Sequence, residues 1–227
     1  MGFNIMNKNK ICFIMCTNNT QYASECQRYL NSLIIPIDYH IDFLAILDAD
    51  SIAAGYNEGM NATDAKYKIY LHQDVFIINK NLLIDILNIF KDITIGMIGM
   101  VGCKELPKTG VMWYGKRVGN IYSNHICNSY ISDFSTFEGE YCEVKAIDGL
   151  MIITQYDLPW RDDLFKSWDY YDISQSHEFI NAGYKIIVPN TKTPWCIHDD
   201  GMMKLNNYYS NREIFLKAYL PNREISR

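Results

Sequence analysis

Apolar residues in this chain gather into short runs that break at polar or acidic positions, with stretches of helical spacing between them. Ile11–Cys16 (ICFIMC) reads as a buried strand ending at Thr17-Asn18-Asn19. Residues 20–33 follow with helical character, and Pro36 closes that unit. Ile41–Leu47 (IDFLAIL) is a second strand, ending at Asp48-Ala49-Asp50, and Ser51 fits the N-cap of a helix reaching about residue 63. A third strand lies in Tyr67–Phe76 (YKIYLHQDVF) and breaks at His72-Gln73-Asp74. Leu82–Phe90 predicts a helix with Asn79 or Asn81 near its cap. Ile95–Val101 (IGMIGMV) predicts a fourth strand, loosened by two glycines. This alternation predicts an α/β fold, a single domain with a mixed, mostly parallel sheet flanked by helices.

Residues 102–142 break the rhythm, with glycines, aromatics and polar residues in no clear period. An excursion of that length in a compact domain is usually functional or mobile. Order returns at Val144–Thr154 (VKAIDGLMIIT), a strand-like run interrupted by Asp148-Gly149. An aromatic segment, PWRDDLFKSWDYYD, leads to a helix from about Ile173 to Asn181, with Gly183 ending it. Tyr184–Val188 predicts a last strand, followed by the Pro-Trp-Cys-Ile-His-Asp-Asp-Gly stretch of 194–201. The aromatic tail after Leu205 is expected to pack on the body.

Composition narrows the class. A hydrophobic fraction of 48% over 227 residues supplies a full core for one domain. A net charge of −5 argues against a general nucleic-acid binder, which would show a basic face. No apolar run approaches the roughly 20 residues that span a bilayer, and MGFNIMNKNK lacks the pattern of a secretory signal. Seven scattered cysteines without paired CxxC spacing fit reduced thiols in a cytoplasmic protein, leaving peripheral membrane attachment open. Cys12 and Cys16 share a strand face with Ile14 and read as core.

Candidate chemistry falls where apolar runs break: Thr17-Asn18, Asp48 and Asp50, His72 and Asp74, Asp148, Asp169 and Asp172, and His198. The first three groups end successive strands. In open α/β sheets that carboxyl edge is where ligands bind. Side chains two apart on a strand share a face, so His72 and Asp74 are expected to point the same way. Each has a plainer reading too. The third strand can simply exit into solvent through polar residues. Asp48 can start a turn, and Asp50 or Ser51 can cap the next helix. Asp172 with Gln175 fits a capping box. His177, beside Glu178 in mid-helix, is expected to be exposed. Trp168, Tyr170 and Tyr171 fit either plain core or a sugar-stacking surface. Several acids with a histidine and no neighbouring lysines or arginines call for a cation, and oxygen ligands with one imidazole suit Mg²⁺ or Mn²⁺.

Taken in order, these motifs resemble the nucleotide-sugar glycosyltransferases of the GT-A type in their broad family 2 pattern. There a first strand ends in Thr-x-Asn or similar and a second in Asp. A helix with an Asn and small residues then precedes A-x-x-x-Y-x-x-x-L-D-x-D. The counterparts are Thr17-Asn18, Asp48, Asn57-Glu58-Gly59-Met60 and Ala65 through Asp74. The YLHQDVF, DG, W-x-x-YD and W-C-I-H blocks are similar to the StrF-like glycosyltransferases, and the resemblance spans nearly the whole chain. It implies a nucleotide-binding half over about 10–101, an acceptor-side half over about 102–204 and a packing tail over 205–227. It also implies roles. Thr17, Asn18, Asp48, Asn57 and His72 would hold the nucleotide of a nucleoside diphosphate sugar, a UDP-sugar foremost. Asp74 and His198 would hold Mn²⁺ or Mg²⁺, with His72 standing where the family has the first acid of Asp-x-Asp. Asp172, eleven residues before Gly183, would be the catalytic base. Asp148 would assist it, and Gly149, Trp168, Asp169 and Tyr171 would face the sugar and a glycan or small-molecule acceptor. Direct attack by the acceptor hydroxyl implies inversion. Two rivals stand beside this reading. A sugar-1-phosphate nucleotidyltransferase would carry a Gly-rich, basic loop after the first strand, where this chain has Thr-Asn-Asn-Thr. The other is a non-catalytic nucleotide- or carbohydrate-binding module of the same fold.

Overall fold

A computed structural model describes residues 6–125, 128–199 and 205–221. Strands β1 (Asn7–Thr17), β2 (His40–Leu47) and β3 (Ala65–His72) are joined by helices α1 (Thr20–Leu30) and α2 (Ile52–Asn61). β1 runs between β2 and β3, parallel to both, with Thr17 opposite Leu47 and Cys16 opposite His72. This register brings Thr17, Asp48 and His72 to one edge of the sheet. Ser51 caps α2 by accepting from the Ala54 amide at 3.2 Å. Asn19 caps α1 by accepting from the Gln21 and Tyr22 amides.

The turn Gln73-Asp74 then carries the chain out of this sheet into β4 (Val75–Ile77), a member of a second sheet. After α3 (Leu82–Ile89), the run Ile95–Val101 is not one strand as its pattern predicts. It divides into β5 (Ile95–Gly99) in the first sheet and the start of β6 (Val101–Cys103) in the second. Gly99 permits the close approach at this division, since a Cβ there would lie 2.7 Å from Ile147 Cβ. The aperiodic stretch holds β7 (Arg117–His125), β8 (Asn128–Asp133) and β9 (Tyr141–Glu143). β10 (Ala146–Ile147) and β11 (Met151–Thr154) flank Asp148-Gly149. Next come α4 (Tyr171–Asn181), β12 (Lys185–Pro189), β13 (Cys196–His198) and α5 (Tyr208–Tyr219).

The first sheet has the order β2-β1-β3-β11-β5-β12-β9 and is mixed. β2/β1, β1/β3 and β5/β12 are parallel, and the other three pairings are antiparallel. The second runs β10-β6-β7-β13-β4, with β8 on β7. β1 shows why its sequence is an unbroken apolar run. Ile11, Phe13 and Met15 join the cluster holding Cys26 and Leu30 of α1 and Leu82 of α3. Cys12, Ile14 and Cys16 join the cluster holding Ile52, Ala53 and Tyr56 of α2. A strand buried on both faces has no polar side to show.

α5 packs on α4 as the tail's composition predicts: Tyr219 Oη donates to Glu178 Oε1 at 2.5 Å. The same contact corrects the expectation for His177. Its ring packs against Phe215 and Tyr219, with centroids 5.1 and 5.3 Å away, and burial lowers its pKa. Among the described residues no helix is long and apolar enough to cross a membrane.

Candidate active site

Two strand pairings build the centre of the site. β13 runs antiparallel to β4 with His198 opposite Val75, so His198 arrives beside Asp74. The Asp199 amide donates to the Asp74 carbonyl at 2.9 Å and fixes the register. His72, Asp74 and His198 each offer a ligand atom, all within 4.8 Å of one another. His198 Nε2 lies 3.5 Å from Asp74 Oδ1, and His72 Nδ1 lies 4.0 Å from the same oxygen. Burial alone would raise the Asp74 pKa, but the contact with His198 and the electrostatic pull of the His72 and His198 rings hold it below the usual carboxylate value. Asp74 Oδ1 is buried without a hydrogen bond. One carboxylate and two imidazoles fit a divalent cation, and this mixed O,N,N set suits Mn²⁺ better than Mg²⁺, which prefers oxygen alone. His72 thus lies within the group of side chains that could hold a cation.

β11 runs antiparallel to β3, so its lead-in, Asp148–Leu150, reaches the same sheet edge; the His72 amide donates to the Leu150 carbonyl at 3.0 Å. Here Gly149 meets the start of α4. Its amide donates to Asp172 Oδ2 at 3.0 Å, and the Ile173 amide donates to Asp172 Oδ1 at 2.8 Å. Asp172 is therefore not the cap of a capping box. The N-cap is Tyr170 in a left-handed conformation with φ 65°, and Gln175 instead donates to the Leu158 carbonyl. The buried Tyr171 hydroxyl bonds His72 Nε2, joining α4 to the cation group. A Cβ on residue 149 would overlap that hydroxyl, which explains the glycine. Asp148, Gly149, Trp168, Asp169, Tyr171 and Asp172 all line one cavity of about 190 Å³ that His72 also borders. Burial, and next the charge of Asp148, pushes the Asp172 carboxyl up to about 7 against the pull of its backbone bonds. Burial also raises Asp169.

At the end of β1, Gln73 Oε1 accepts from the Thr17 hydroxyl at 2.7 Å and from the Asn18 and Asn19 amides at 3.2 and 3.1 Å. Gln73 Nε2 donates to Asn18 Oδ1 at 3.0 Å. Asp48 ends β2 exposed, at φ 54°. Short polar side chains such as Asp tolerate that left-handed region.

With this geometry, residues 12–219 match the model of the glycosyltransferase like family. The chain belongs to this family. No curated protein matches it in sequence. Among solved structures, S. aureus TarS 1-349 in complex with UDP shares the fold, with TM-score 0.61 and 11% identity over 95% of this chain and 67% of that one. Mannosyltransferase PcManGT from Pyrobaculum calidifontis, in complex with GDP-Man and Mn²⁺, gives 0.57 and 11% over 96% and 66%. In the longer S. aureus TarS structure the matched region is 40% of the chain.

In this glycosyltransferase-family protein the structure gathers most of the predicted residues. Asn57 stands apart. Its amide exchanges two 2.8 Å bonds with the Trp160 backbone, so both of its polar atoms already serve the fold. Two residues escaped the sequence reading. Gln73 staples the loop after β1. Asp199 accepts from Asn124 Nδ2 at 2.7 Å and from the Tyr22 hydroxyl at 3.2 Å, steadying the strand end that carries His198. The position of Gln73 within His-Gln-Asp was the available signal for the first, and the adjacency to His198 for the second. Asp200 and Gly201 of the predicted stretch lie outside the described residues, as do Cys127 and residues 222–227.

Proposed function

We propose that the protein transfers a sugar from a nucleoside diphosphate sugar, a UDP-sugar foremost, to an acceptor hydroxyl with inversion. The observation that carries this reading is the Tyr171–His72 hydrogen bond. It joins a cation-type group to a cavity lined by three carboxylates, Asp148, Asp169 and Asp172, the last with a pKa near neutrality. Asp74, His198 and His72 would hold Mn²⁺, which as a Lewis acid supplies neutralisation of the charge growing on the departing diphosphate. Thr17, Asn18 and Asp48 would face the nucleoside. Asp172 takes the acceptor proton as the hydroxyl oxygen attacks the anomeric carbon and the bond to the diphosphate breaks. A carboxylate with a pKa about 7 is matched to that task at neutral pH. Asp148 lends negative charge near the positively charged anomeric carbon. Trp168 and Asp169 face the sugar.

Family membership and the folds of the UDP-bound and GDP-Man-bound structures support the donor class. The order of motifs supports the StrF-like subgroup, and the division into a nucleotide half (10–101) and an acceptor half (102–204). The six described cysteines are free thiols, which supports a cytoplasmic setting with peripheral membrane contact open. The test is incubation with a panel of nucleotide sugars and Mn²⁺. Release of nucleoside diphosphate is expected. Release of nucleoside triphosphate in the presence of pyrophosphate would make the protein a nucleotidyltransferase, and binding without turnover would make it a module.

A further inference from the structure

A second cavity, of about 390 Å³, adjoins the catalytic one, and Trp113 and Tyr208 line both. It lies where the segment 109–114 meets α5, clasped by Arg212 Nε donating to the Thr109 carbonyl at 2.7 Å. Its wall is aromatic: Trp113, Tyr114, Tyr208 and Tyr209. Tyr114 is 77% exposed and Tyr209 68%. A single exposed ring is ordinary, but a contiguous set along one groove marks a binding surface. Several of the rings are braced. The Arg117 guanidinium lies over Trp113 at 5.5 Å, Tyr170 packs against Tyr208 at 5.0 Å, and Tyr209 meets Tyr208 edge-on at 5.7 Å.

The lining alternates apolar ring faces with phenolic hydroxyls and the Arg212 guanidinium. A saccharide presents the matching surface, apolar C–H faces for the rings and hydroxyls for the polar groups. A prenyl or acyl chain would call for an aliphatic groove, and among the described residues only Val111 and Leu205 supply that character here. We propose that this groove binds the acceptor, that the acceptor is an oligosaccharide, and that its terminal sugar enters the catalytic cavity while the following units stack along Trp113, Tyr114 and Tyr209. The proposal rests on the transferase reading for the direction of the chain, and on the groove alone for the ligand class.

Calorimetric titration tests it, using the full chain, Mn²⁺ and UDP, with mono- to tetrasaccharides of glucose, N-acetylglucosamine and mannose as probes. In at least one series, affinity is expected to rise about tenfold from mono- to trisaccharide, the scale of one good stacking contact. Tyr114→Ala and Tyr209→Ala should abolish that rise. Both residues are exposed, so truncation leaves the core intact. Affinity independent of length in every series would overturn the proposal, as would a length dependence that survives both substitutions. The UDP titration reads the donor site separately. UDP binding without length dependence removes only the oligosaccharide groove. Length-dependent saccharide binding without UDP binding keeps the groove and removes the transferase reading.

Discussion

Asp172 carries the largest chemical consequence of any one residue here. Burial first and the Asp148 charge second push it up to about 7, so it is a proton acceptor only above that pH. kcat/KM is therefore expected to rise with pH through about 7, and Asp148→Asn should move that limb to lower pH by removing the neighbouring charge. Asp172→Asn should lower kcat by about 10²- to 10⁴-fold, the usual worth of a general base, with UDP affinity retained in calorimetry. Normal turnover would remove Asp172 as base. Tyr171 orients the cation group from the outside, and losing such a partner usually costs about 10- to 100-fold in metal affinity. Tyr171→Phe should weaken Mn²⁺ binding on that scale, measured by the free-ion signal in electron paramagnetic resonance, and unchanged affinity would contradict the positioning role. Asp74, Asp148, Asp172 and His198 were legible in the sequence because each interrupts an apolar run. Gln73 and Asn57 were not legible in the same way, since the work of an amide depends on partners brought close only by folding.

The elements that matter most are the turn between β3 and β4 and the strand β13 that closes on it. Through the first of these the chain passes from one sheet to the other, which sets His72 and Asp74 in the cation-type group and turns Gln73 between them to the β1–α1 loop. Gln73 holds three groups of the β1–α1 loop at once. Gln73→Ala removes these hydrogen bonds from part-exposed groups, at a cost of about 0.5–1.5 kcal/mol, the net worth of a typical hydrogen bond. Urea unfolding should show that loss, and calorimetry should show weaker UDP binding, because the released loop is the one assigned to the nucleoside. Stability and UDP affinity both equal to wild type would contradict the staple. The long parallel strands were readable because burial on both faces makes them unbroken apolar runs. The strands β6 to β9 were not. They are mostly short or lie toward sheet edges, and β6 continues the apolar run of β5 so directly that periodicity cannot divide them.

For the molecule as a whole, the two sheets meet along one edge, and that edge sets a pH dependence of stability. The native state holds the Asp172 proton up to about pH 7, whereas the unfolded chain releases it near about pH 4. Between those values the native state binds more protons, so stability falls as pH rises through the window. Thermal unfolding should show a negative slope across it that Asp172→Asn flattens. An equal slope in the variant would contradict the shift. The sequence carried the α/β class, the carboxyl-edge placement and the family resemblance, while the second sheet was not legible because it gathers strands from segments as far apart as Val75–Ile77 and Cys196–His198. The central claim is that this edge binds a nucleoside diphosphate through a cation held at Asp74. The most direct test is titration of UDP into the protein with Mn²⁺ and with a chelator, repeated on Asp74→Asn. Mn²⁺-dependent binding that the substitution abolishes is the predicted result, and binding indifferent to both the metal and the substitution would contradict it.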